Sequence, residues 1–417
     1  MTPRVLTVAL SLATTTALLP AATAPADAAA PRPAVQRPDH VHVLHPTGHG
    51  LALGWSGEPA HGFTIKQARN RSMTNAVRTY HVHGNITQFT PFGLRSHAHY
   101  YFRVRAGNGS GHSRYSGVVR GRLPGRESAM SMVTWNVLHA RADGTKENGN
   151  RVAPWHKRVK VVVSMLRAMH PDLININEGN DFLHSSGRYR QIDSIETRLK
   201  KTYALASADF TAAKYHPQVG NYVLYRRSMF RPLYRHEHGK SHCFDLGTKH
   251  FAMYQAFANR HSGARFLFVS LHLASGPNGP TANRLRTRET RRLLDDVAKL
   301  RRTHPRYRRL PVIYAGDTNS FAGSNPHSLD GPGDLLRARH ATDALMAAQS
   351  RKNTKYGSVN GYTRVPSHTG KIIDHFYATA GVSFKTWRQV MHLKHGRWPG
   401  VIPSDHNPIL VHALVQH

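Results

Sequence analysis

The sequence has almost no cysteine, since Cys243 is the only one in 417 residues. A chain with one cysteine cannot form an internal disulfide, so its fold depends on a hydrophobic core for stability. With 40% hydrophobic residues the chain can bury a large core, and its length predicts two domains. We interpret Cys243 as a buried or incidental residue, with a reactive thiol as the alternative.

Acidic residues are also scarce. The chain has 23 Asp and Glu against 57 Lys and Arg, which gives a formal net charge of +34. Because basic residues occur throughout the sequence, the charge is a property of the whole surface rather than of one tail. It predicts attraction to a polyanion such as nucleic acid, anionic lipid or a cell-wall polymer. The alternative is an exported protein that is basic for solubility alone.

Long apolar runs are missing except near the N-terminus. Residues 5–19 follow Arg4, are apolar but interrupted by threonines, and precede the small-residue pattern Ala26-Asp27-Ala28. This arrangement predicts a signal peptide over residues 1–30, because the apolar run is shorter than the ~20 residues that span a bilayer. We therefore expect a secreted, extracellular protein with no integral membrane segment after signal removal.

Short alternating segments separated by Gly, Pro, Asn and Ser occupy residues 38–122. They predict strands of a small antiparallel sandwich at residues 40–44, 50–55, 62–65 and 100–106. Trp55 lies in an early strand, and residues 100–113 are similar to a late strand and the turn after it. On these residues the region resembles a fibronectin type III domain, which is an all-β immunoglobulin-like sandwich. The resemblance implies a binding or spacing module, and a cell-surface or matrix polymer is one ligand of this kind.

Histidines recur in this region, as in the pairs His81 with His83 and His97 with His99. Residues two apart lie on one face of a strand, a spacing that can bind zinc or copper. Because no cysteine or carboxylate completes such a set, we interpret these histidines as solvated surface groups.

From residue 128 onward, apolar segments that indicate buried strands alternate with helical patterns. Val159, Val162 and Leu166 recur at helical spacing in one segment, and Leu293 and Val297 do so in another. Predicted strands cover residues 131–138, 172–177, 221–225, 251–258, 265–272, 310–315, 371–378 and 409–414, and predicted helices cover residues 155–169 and 284–300. This alternation predicts an α/β fold in which two packed sheets are flanked by helices.

Polar residues follow several of these strands. They are Asn136, Glu178, His272, Asp317 with Asn319, and Asp405 with His406. Oxygen-bearing side chains at neighbouring strand ends can hold a hard divalent cation, which phosphodiester hydrolysis needs because the anionic ester repels hydroxide. Asp374 could fix the tautomer of His406 as a general base, and Asn319 can donate to a phosphate oxygen. Taken singly, each residue is also compatible with a turn or a buried polar group.

With these motifs in this order, residues 128–417 resemble the endonuclease/exonuclease/phosphatase superfamily, in particular its deoxyribonuclease and sphingomyelinase branches. The resemblance implies a four-layer α/β sandwich and metal-dependent hydrolysis of phosphoesters. It implies that Asn136 and Glu178 hold magnesium, with manganese or calcium as alternatives, and that Asp405 is an auxiliary metal ligand. The chain departs from the family pattern at Asn177, where Gln is common, and at Thr318, where an aromatic or apolar residue is common.

The resemblance also implies the catalytic roles. His272 contacts the scissile phosphate or protonates near it, and Asp317 with Asn319 orients the nucleophilic water and the phosphate. Asp374 orients His406, which acts as the general base.

Together these features predict a secreted, divalent-metal-dependent phosphodiesterase, and we favour an extracellular endonuclease acting on DNA or RNA. Ten arginines within residues 284–309 predict a basic band that could contact a phosphate backbone, with a solvated helix face as the alternative. A sphingomyelinase-like phospholipase is a second interpretation, although the aromatic-rich hairpin expected for entry into lipid is not evident. A non-catalytic, polyanion-binding adhesion protein is a third, and the intact set of catalytic residue types argues against it.

Overall fold

The structure is a computed structural model that describes residues 35–417 apart from residues 47–49, 58–60, 110, 124, 180, 182, 184–188, 207–219, 235–241, 277–279 and 322–330. The predicted signal peptide at residues 1–30 lies outside the described residues. Within the described segments, no helix is long and apolar enough to cross a membrane.

The N-terminal part of the described chain forms two antiparallel sheets. Its strands are β1 (Asp39–Pro46), β2 (Leu51–Ser56), β3 (Gly62–Ala68), β4 (Arg78–His83), β5 (Gln88–Phe89), β6 (His99–Asn108), β7 (Gly111–His112) and β8 (Val119–Arg122). One sheet has the order β1-β2-β5, and the other has the order β4-β3-β6-β7 with β8 also paired to β6. The four strands predicted in this region correspond to β1, β2, β3 and β6.

Alternation along these strands places apolar side chains between the two sheets. Phe63 of β3 and Phe102 of β6 are buried there, and the ring of Trp55 meets that of Phe63 edge-on at 5.5 Å. Burying each such side chain stabilises the fold by about 1.5–3 kcal/mol. His81 and His83 alternate with inward side chains of β4 and are exposed, as expected of surface histidines.

The rest of the chain alternates strands and helices. Its strands are β9 (Glu127–Asn136), β10 (Lys146–Glu147), β11 (Asn150–Arg151), β12 (Leu173–Asn177), β13 (Tyr203–Leu205), β14 (Tyr222–Arg226), β15 (Phe230–Leu233), β16 (Cys243–Asp245), β17 (Phe251–Asn259), β18 (Arg265–His272), β19 (Val312–Asp317), β20 (Thr342–Asp343), β21 (Ser350–Lys352), β22 (Asp374–Ala378), β23 (Val382–Gln389) and β24 (Ile409–Gln416). Its helices are α1 (Trp155–Met169), α2 (Gln191–Leu199), α3 (Pro280–Thr303), α4 (Gly331–Ala338) and α5 (Ala344–Ala347).

Two seven-stranded sheets are the centre of this part. The first has the order β13-β14-β12-β9-β24-β23-β21, and the second has the order β15-β17-β18-β19-β22-β20 with β16 paired to β17. Met132 of β9, Phe268 of β18 and Phe376 of β22 are buried in the core between the sheets. Val162 of α1 packs on the outer face of the first sheet, and Leu293 of α3 packs on that of the second. The predicted α/β sandwich of packed sheets flanked by helices is therefore confirmed.

Some element boundaries differ from the prediction. The strand predicted over residues 371–378 begins at Asp374, because the amides of Ile373 and Asp374 donate to Ser358 Oγ at 2.9 and 3.3 Å. The strand predicted over residues 131–138 ends at Asn136, and helix α3 is longer than predicted at both ends. Apolar periodicity cannot show where a backbone amide donates to a side chain from another segment instead of to a neighbouring strand.

The N-terminal sheets join the α/β part through strand β5. Gln88 Oε1 accepts from the amide of Asp343 at 2.9 Å, and Gln88 Nε2 donates to the carbonyl of Ala341 at 3.4 Å. The amide of Thr90 donates to the carbonyl of Ala347 at 2.8 Å. Because Gln88 and Asp343 are buried, each needs these partners, and residues Val35–His417 form one unit.

Cys243 begins strand β16 as a free, half-buried thiol. Burial, together with the neighbouring Asp245, raises the pKa of the Cys243 thiol. A thiol that stays protonated is a poor nucleophile, which agrees with the interpretation of Cys243 as an incidental residue.

Candidate active site

Strand register places the candidate residues at one edge of the two sheets. In the first sheet, Asn136 at the end of β9 pairs with Asn177 at the end of the parallel strand β12. In the second sheet, His272 at the end of β18 pairs with Asp317 at the end of the parallel strand β19, and Asp317 pairs with Asp374 at the start of β22. The polar residues therefore lie at the same level, where the apolar strands end.

Hydrogen bonds join the two sheets at this edge. Asn136 Nδ2 lies 2.9 Å from Glu178 Oε1 and 3.2 Å from Asp317 Oδ2. Asn177 donates from Nδ2 to the carbonyl of Leu271 at 3.0 Å and accepts at Oδ1 from the amide of Asp317 at 3.2 Å. Asn177, which the sequence marked only as a departure from the family pattern, thus fixes the distance between the sheets.

Glu178 follows strand β12 in a left-handed backbone conformation, with φ 61°, which is uncommon for a residue other than glycine. Its Oε2 accepts from the amide of His139 at 3.0 Å. Burial raises the pKa of the Glu178 carboxyl, but His272, the hydrogen bond from Asn136 and the more distant His406 together hold that pKa below its usual 4.5. The carboxylate is therefore ionised at neutral pH, as a metal ligand must be.

His272 faces two carboxylates at the end of β18. Its Nε2 lies 3.6 Å from Asp317 Oδ2 and 3.9 Å from Glu178 Oε1. The His272 side chain is 20% exposed, whereas that of Asp317 is 1% exposed. His272 therefore lies at the solvent side of the site, as does Glu178, whose side chain is 22% exposed.

His406 lies between two carboxylates. Its Nδ1 is 2.9 Å from Asp374 Oδ2, and its Nε2 is 3.7 Å from Asp317 Oδ2. Burial lowers the pKa of the imidazole, but the negative charges of Asp374, Asp317 and Asp405 outweigh burial and raise that pKa well above its usual 6.5. These three carboxylates therefore favour the imidazolium form of the ring. Burial and repulsion from Asp374 raise the pKa of Asp317.

The backbone before strand β24 is fixed by residues far away in sequence. The carbonyl of His406 accepts from Trp135 Nε1 at 2.9 Å, and the amide of His406 donates to Ser404 Oγ at 3.1 Å. Ser404 Oγ in turn donates to the carbonyl of Asn136 at 2.7 Å. These bonds tie the His406 segment directly to the end of β9.

Arg158 strengthens the same connection, and the sequence did not reveal its role. Its buried guanidinium donates to the carbonyls of Val137 at 2.8 Å and Pro403 at 3.4 Å and pairs with Asp143 at 2.9 Å. It thus joins the loop after β9 to the segment before β24. A signal was present, because Arg158 falls next to Val159 in the apolar stripe of α1, where a charged side chain is buried only with partners.

The turn after strand β19 is set by backbone geometry. Gly316 has φ 146°, and a Cβ added there would lie 1.8 Å from the carbonyl oxygen of Leu271, so only glycine fits. Asn319, with φ 51°, donates from its amide to Asp317 Oδ1 at 2.8 Å and from Nδ2 to the carbonyl of Leu273 at 2.9 Å. Asn319 thus lies beside Asp317, with its side-chain nitrogen bonded to the loop after β18.

Asp405 lies next to His406, and its Oδ1 is 3.2 Å from Ser404 Oγ. Burial raises the pKa of Asp405, and repulsion from Glu178 raises it further, although His406 lowers it. Two carboxylates that repel each other in a buried site are a set of hard oxygen donors that a divalent cation would stabilise.

One set of three side chains in the described part of the chain is close enough together to hold a metal ion. One atom each of Asp317, Asp374 and His406 lie within 4.8 Å of one another. Asp374 Oδ2 and His406 share a hydrogen bond at 2.9 Å, whereas Asp374 Oδ1 is buried without a hydrogen-bond partner. Glu178 and Asp405 offer oxygen donors only, which is the type of ligand that a hard cation prefers.

The orientation of Asn136 bears on its predicted role as a metal ligand. Its Oδ1 accepts from the amide of Leu138 at 3.1 Å, while its Nδ2 faces the carboxylates of Glu178 and Asp317. In this orientation Asn136 is a hydrogen-bond donor to the acidic residues. A carbonyl oxygen has two lone pairs, so Oδ1 keeps one for a cation.

The predicted basic band needs a correction at Arg286, which is buried. Its guanidinium donates to the carbonyls of Ala274 and Gly276, each at 2.8 Å. Glu289, one turn further along α3, accepts from the amide of Ala274 at 2.8 Å and pairs with His250 at 2.7 Å. Arg286 is therefore not part of a nucleic-acid surface; with Glu289 it holds the loop that follows strand β18.

The other arginines of the band are spread along the molecule. Those that are exposed are Arg284, Arg288, Arg291, Arg292, Arg302, Arg306, Arg308 and Arg309. Helix α3 connects the end of β18 to the start of β19, and these strands are parallel. The helix therefore runs away from the candidate site, and Arg308 and Arg309 lie toward the opposite edge of the sheet.

Residues 133–406 match the Endonuclease/Exonuclease/phosphatase family, and the chain belongs to this family. The family typically hydrolyses phosphodiesters or other phosphate esters and is generally dependent on divalent metals. No curated protein matches the chain.

Several solved structures are similar to the chain. An endonuclease/exonuclease/phosphatase family protein from Bacteroides thetaiotaomicron is 18% identical, with a TM-score of 0.51 over 70% of this chain and 99% of that one. A mannosyl-6-phosphatase from the same organism is 19% identical, with a TM-score of 0.48 over 68% of this chain and 98% of that one. The human Nocturnin catalytic domain with bound sulfate is 16% identical, with a TM-score of 0.44 over 68% of this chain and 94% of that one. At 18% identity, the likeness to the first of these structures shows the fold alone.

Proposed function

We propose that the protein is an exported, divalent-metal-dependent phosphodiesterase, and specifically a nuclease acting on DNA or RNA outside the cell. The observation that carries the hydrolytic function is the Asp374–His406 hydrogen bond of 2.9 Å, with Asp317 at 3.7 Å from the other ring nitrogen. Such a group of acids and bases beside Glu178 is suited to moving protons during attack on a phosphate ester. The nucleic-acid substrate is supported by the net charge of +34.

We assign the cation to Glu178 and Asp405, with Asn136 beside them. Magnesium fits this oxygen-rich set, and manganese or calcium would bind the same type of ligand. When bound, a divalent cation neutralises charge on the phosphate and lowers the pKa of a bound water.

The residues around His406 suggest how protons move. Because Asp374 and Asp317 flank its ring, the imidazolium form of His406 is stabilised, and Nε2 can donate to a phosphate or leaving oxygen. Asp317 Oδ2 lies 3.6 Å from His272 Nε2 and 3.7 Å from His406 Nε2, and this position between two bases supports Asp317 as the acceptor of a proton from an attacking water. We therefore assign the general base to Asp317 rather than to His406.

His272 and Asn319 complete the proposed site. His272, at the solvent side, binds a non-bridging phosphate oxygen. Asn319 positions Asp317 through its backbone amide, at 2.8 Å from Oδ1.

A lipid substrate is less well supported. A phospholipase that enters a membrane surface presents apolar side chains, and aromatic ones above all. Within the described part of the chain, the large hydrophobic side chains that are exposed are Val77, Val359 and Val365, none of them aromatic. A purely adhesive function does not explain why acidic and basic groups are buried together in the site, since burying such groups is costly.

We also propose that residues 38–122 form a fibronectin type III-like domain that binds a cell-surface or matrix polymer. The support is the pairing of a β1-β2-β5 sheet with a β4-β3-β6-β7 sheet around Trp55, Phe63 and Phe102.

The experiment is an assay of the protein without residues 1–30 against plasmid DNA, RNA, sphingomyelin, bis-(p-nitrophenyl) phosphate and a phosphomonoester, with and without EDTA. We expect EDTA-sensitive cleavage of a nucleic acid. Cleavage of sphingomyelin alone would support the phospholipase, and hydrolysis of the phosphomonoester alone would make the protein a phosphatase. Export is tested separately, by finding the protein in the culture medium with an N-terminus close to Ala29.

The substrate class is tested by binding as well. Affinity of the Asp317→Ala variant for DNA or RNA should fall log-linearly with salt, because each neutralised phosphate releases counterions. Binding that ignores salt, or that is found only on sphingomyelin vesicles, would contradict the nuclease proposal.

A further inference from the structure

A cleft of about 890 Å³ lies where the N-terminal sheets meet the α/β part, away from the residues assigned to catalysis. Its N-terminal wall includes the end of strand β4. Its other wall is formed by helix α5, strand β21 and the segment that leads into strand β22. Neither part of the chain forms this cleft alone.

The lining of the cleft is basic. It includes His61, His81 and His83 from the N-terminal part and Arg351 and Lys355 from the α/β part, and it contains no acidic residue. The histidines and Lys355 are exposed at its rim.

The floor of the cleft is apolar, and its rim carries side chains that can donate hydrogen bonds. Ile86, Met346 and Ile372 are buried at the floor, whereas Asn85 and Thr369 are exposed at the rim. An elongated anion whose charged groups meet the rim while its uncharged parts rest on the floor fits this arrangement.

The walls of the cleft are held in place. Gln88 beside it bonds to Asp343 and Ala341 across the junction. The guanidinium of Arg351 donates to the carbonyls of Leu345 and Met346. Burial lowers the pKa of Arg351 to about 10, although Asp343 opposes this, so the side chain stays cationic at neutral pH. The cleft is thus preformed.

A metal site is a poor explanation of the three histidines. Among the residues that the structure describes, one group of acidic, histidine or cysteine side chains converges closely enough to hold an ion, and that group is Asp317, Asp374 and His406. The histidines of the cleft do not converge in this way, so they act as separate charged or hydrogen-bonding groups.

The cleft is connected to the catalytic residues by a short piece of chain. Thr369 and Ile372 line it, and Asp374 follows at the start of β22. Since an extended chain spans at most ~3.6 Å per residue, Thr369 and Asp374 are no more than about 18 Å apart. A single strand of a few nucleotides is long enough to cover that distance.

We propose that this cleft is a second phosphate-binding site, which holds the backbone of a single-stranded nucleic acid while another phosphate of the same strand lies at His406 and Asp317. The inference rests on the proposed nuclease function and adds to it a preference for long substrates. A strand that occupies both sites is held at two points, whereas a small ester occupies one.

The test compares two substrates on the full protein without residues 1–30. They are an oligothymidylate of about 20 nucleotides, long enough to reach both sites, and bis-(p-nitrophenyl) phosphate. In the Lys355→Glu variant, the ratio of kcat/KM for the oligonucleotide to that for the small ester should fall about fivefold or more, as expected for reversal of one phosphate contact. The matched control is Lys160→Glu, which makes the same charge change on the exposed face of α1.

Binding gives an independent readout. With Asp317→Asn as the background, Lys355→Glu should weaken oligonucleotide binding and reduce the slope of log affinity against log salt by about one. Lys160→Glu should change neither quantity by a comparable amount. Equal effects of both variants would show a general surface charge effect and overturn the proposal.

The two proposals fail in different ways. If Lys355→Glu cleaves the oligonucleotide normally and the ratio of the two kcat/KM values is unchanged, the nuclease proposal is supported and the proposal for the cleft is wrong. Tighter binding of duplex DNA than of the single strand, with the same sensitivity to Lys355→Glu, would contradict the single-stranded ligand. Hydrolysis of the small ester without any binding of nucleic acid would overturn both the nuclease and the cleft.

Discussion

The side-chain amide of Asn136, in the first sheet, lies 3.2 Å from Asp317 Oδ2 in the second. This contact crosses between the sheets at the edge where the candidate residues meet. The distance between Glu178, which belongs to one sheet, and His272 and Asp317, which belong to the other, is therefore set by how the sheets pack. Changes that shift the sheets against each other should affect turnover even when they touch no reacting group.

Glu178→Gln should remove most hydrolysis. The substitution takes away the negative charge assigned to the cation while keeping an oxygen that can accept from the amide of His139. We expect a loss of about 100-fold or more in kcat/KM, corresponding to several kcal/mol of lost charge stabilisation. Steady-state kinetics with bis-(p-nitrophenyl) phosphate and calorimetry with magnesium measure both effects.

The control for that variant is Glu196→Gln, on helix α2, where the glutamine oxygen can still accept from the amide of Leu205. It should keep both activity and metal affinity. Full activity of Glu178→Gln, or activity of the unaltered protein that survives EDTA, would contradict the metal mechanism.

Asp374→Asn should lower the rate far more than the metal affinity. Asparagine keeps the shape of the side chain but removes the charge that stabilises the His406 imidazolium and can favour the wrong tautomer. By analogy with the loss of a triad carboxylate, we expect about a 10⁴-fold decrease in kcat. Calorimetry should show nearly unchanged magnesium binding; a large loss of affinity with a small loss of rate would instead make Asp374 a metal ligand.

Gly316→Ala should destabilise the fold. The new Cβ would lie 1.8 Å from the carbonyl oxygen of Leu271, and φ of 146° is unfavourable for alanine. We expect a loss of about 3 kcal/mol or more, which lowers Tm by roughly 6–12 °C. Gly117→Ala is the matched control, because a Cβ there meets nothing within 4 Å, and an equal fall in its Tm would contradict the steric argument.

Glu289→Gln should reduce stability in a pH-dependent way. Burial raises the pKa of Glu289, but hydrogen bonds from His250, Thr248 and the Ala274 amide hold that pKa below its usual 4.5. A depressed pKa contributes stability that is present above the unfolded value and is lost as the pH falls through the folded value.

The Tm difference between the unaltered protein and Glu289→Gln should therefore be large near pH 6 and should shrink as the pH falls below about 4.5 toward the lower, folded value. Thermal melts of both proteins across this range measure it. A difference that is constant with pH would show that the ionised form of Glu289 contributes nothing.

Much of the fold follows from periodicity. Helix α1 has the predicted bounds because its apolar residues recur at helical spacing, and strand β18 has them because it is a continuous apolar run between turn signals. Short elements such as α5 and β20 could not be predicted, since two to four residues carry no periodicity. Whether an edge strand forms depends on its pairing with a strand that is distant in sequence, and a local pattern does not identify that partner.

The candidate site was predictable in its composition and less so in its details. Polar residues at the ends of neighbouring parallel strands lie at one edge of their sheet, so Asn136 groups with Glu178 and His272 groups with Asp317. That the two pairs meet depends on how the two sheets pack. The orientation of the Asn136 amide and the burial of Arg286 depend on contacts between distant segments. Neither can be read from spacing along the chain.

Strand β24 is the last strand along the chain, yet it lies between β9 and β23 inside the first sheet. His406, just before it, bonds to Trp135 across 271 residues of sequence. During synthesis, a growing chain therefore carries most of the acidic side chains of the site long before it carries His406. Until β24 inserts between β9 and β23, the first sheet is split and the site lacks the imidazole of His406.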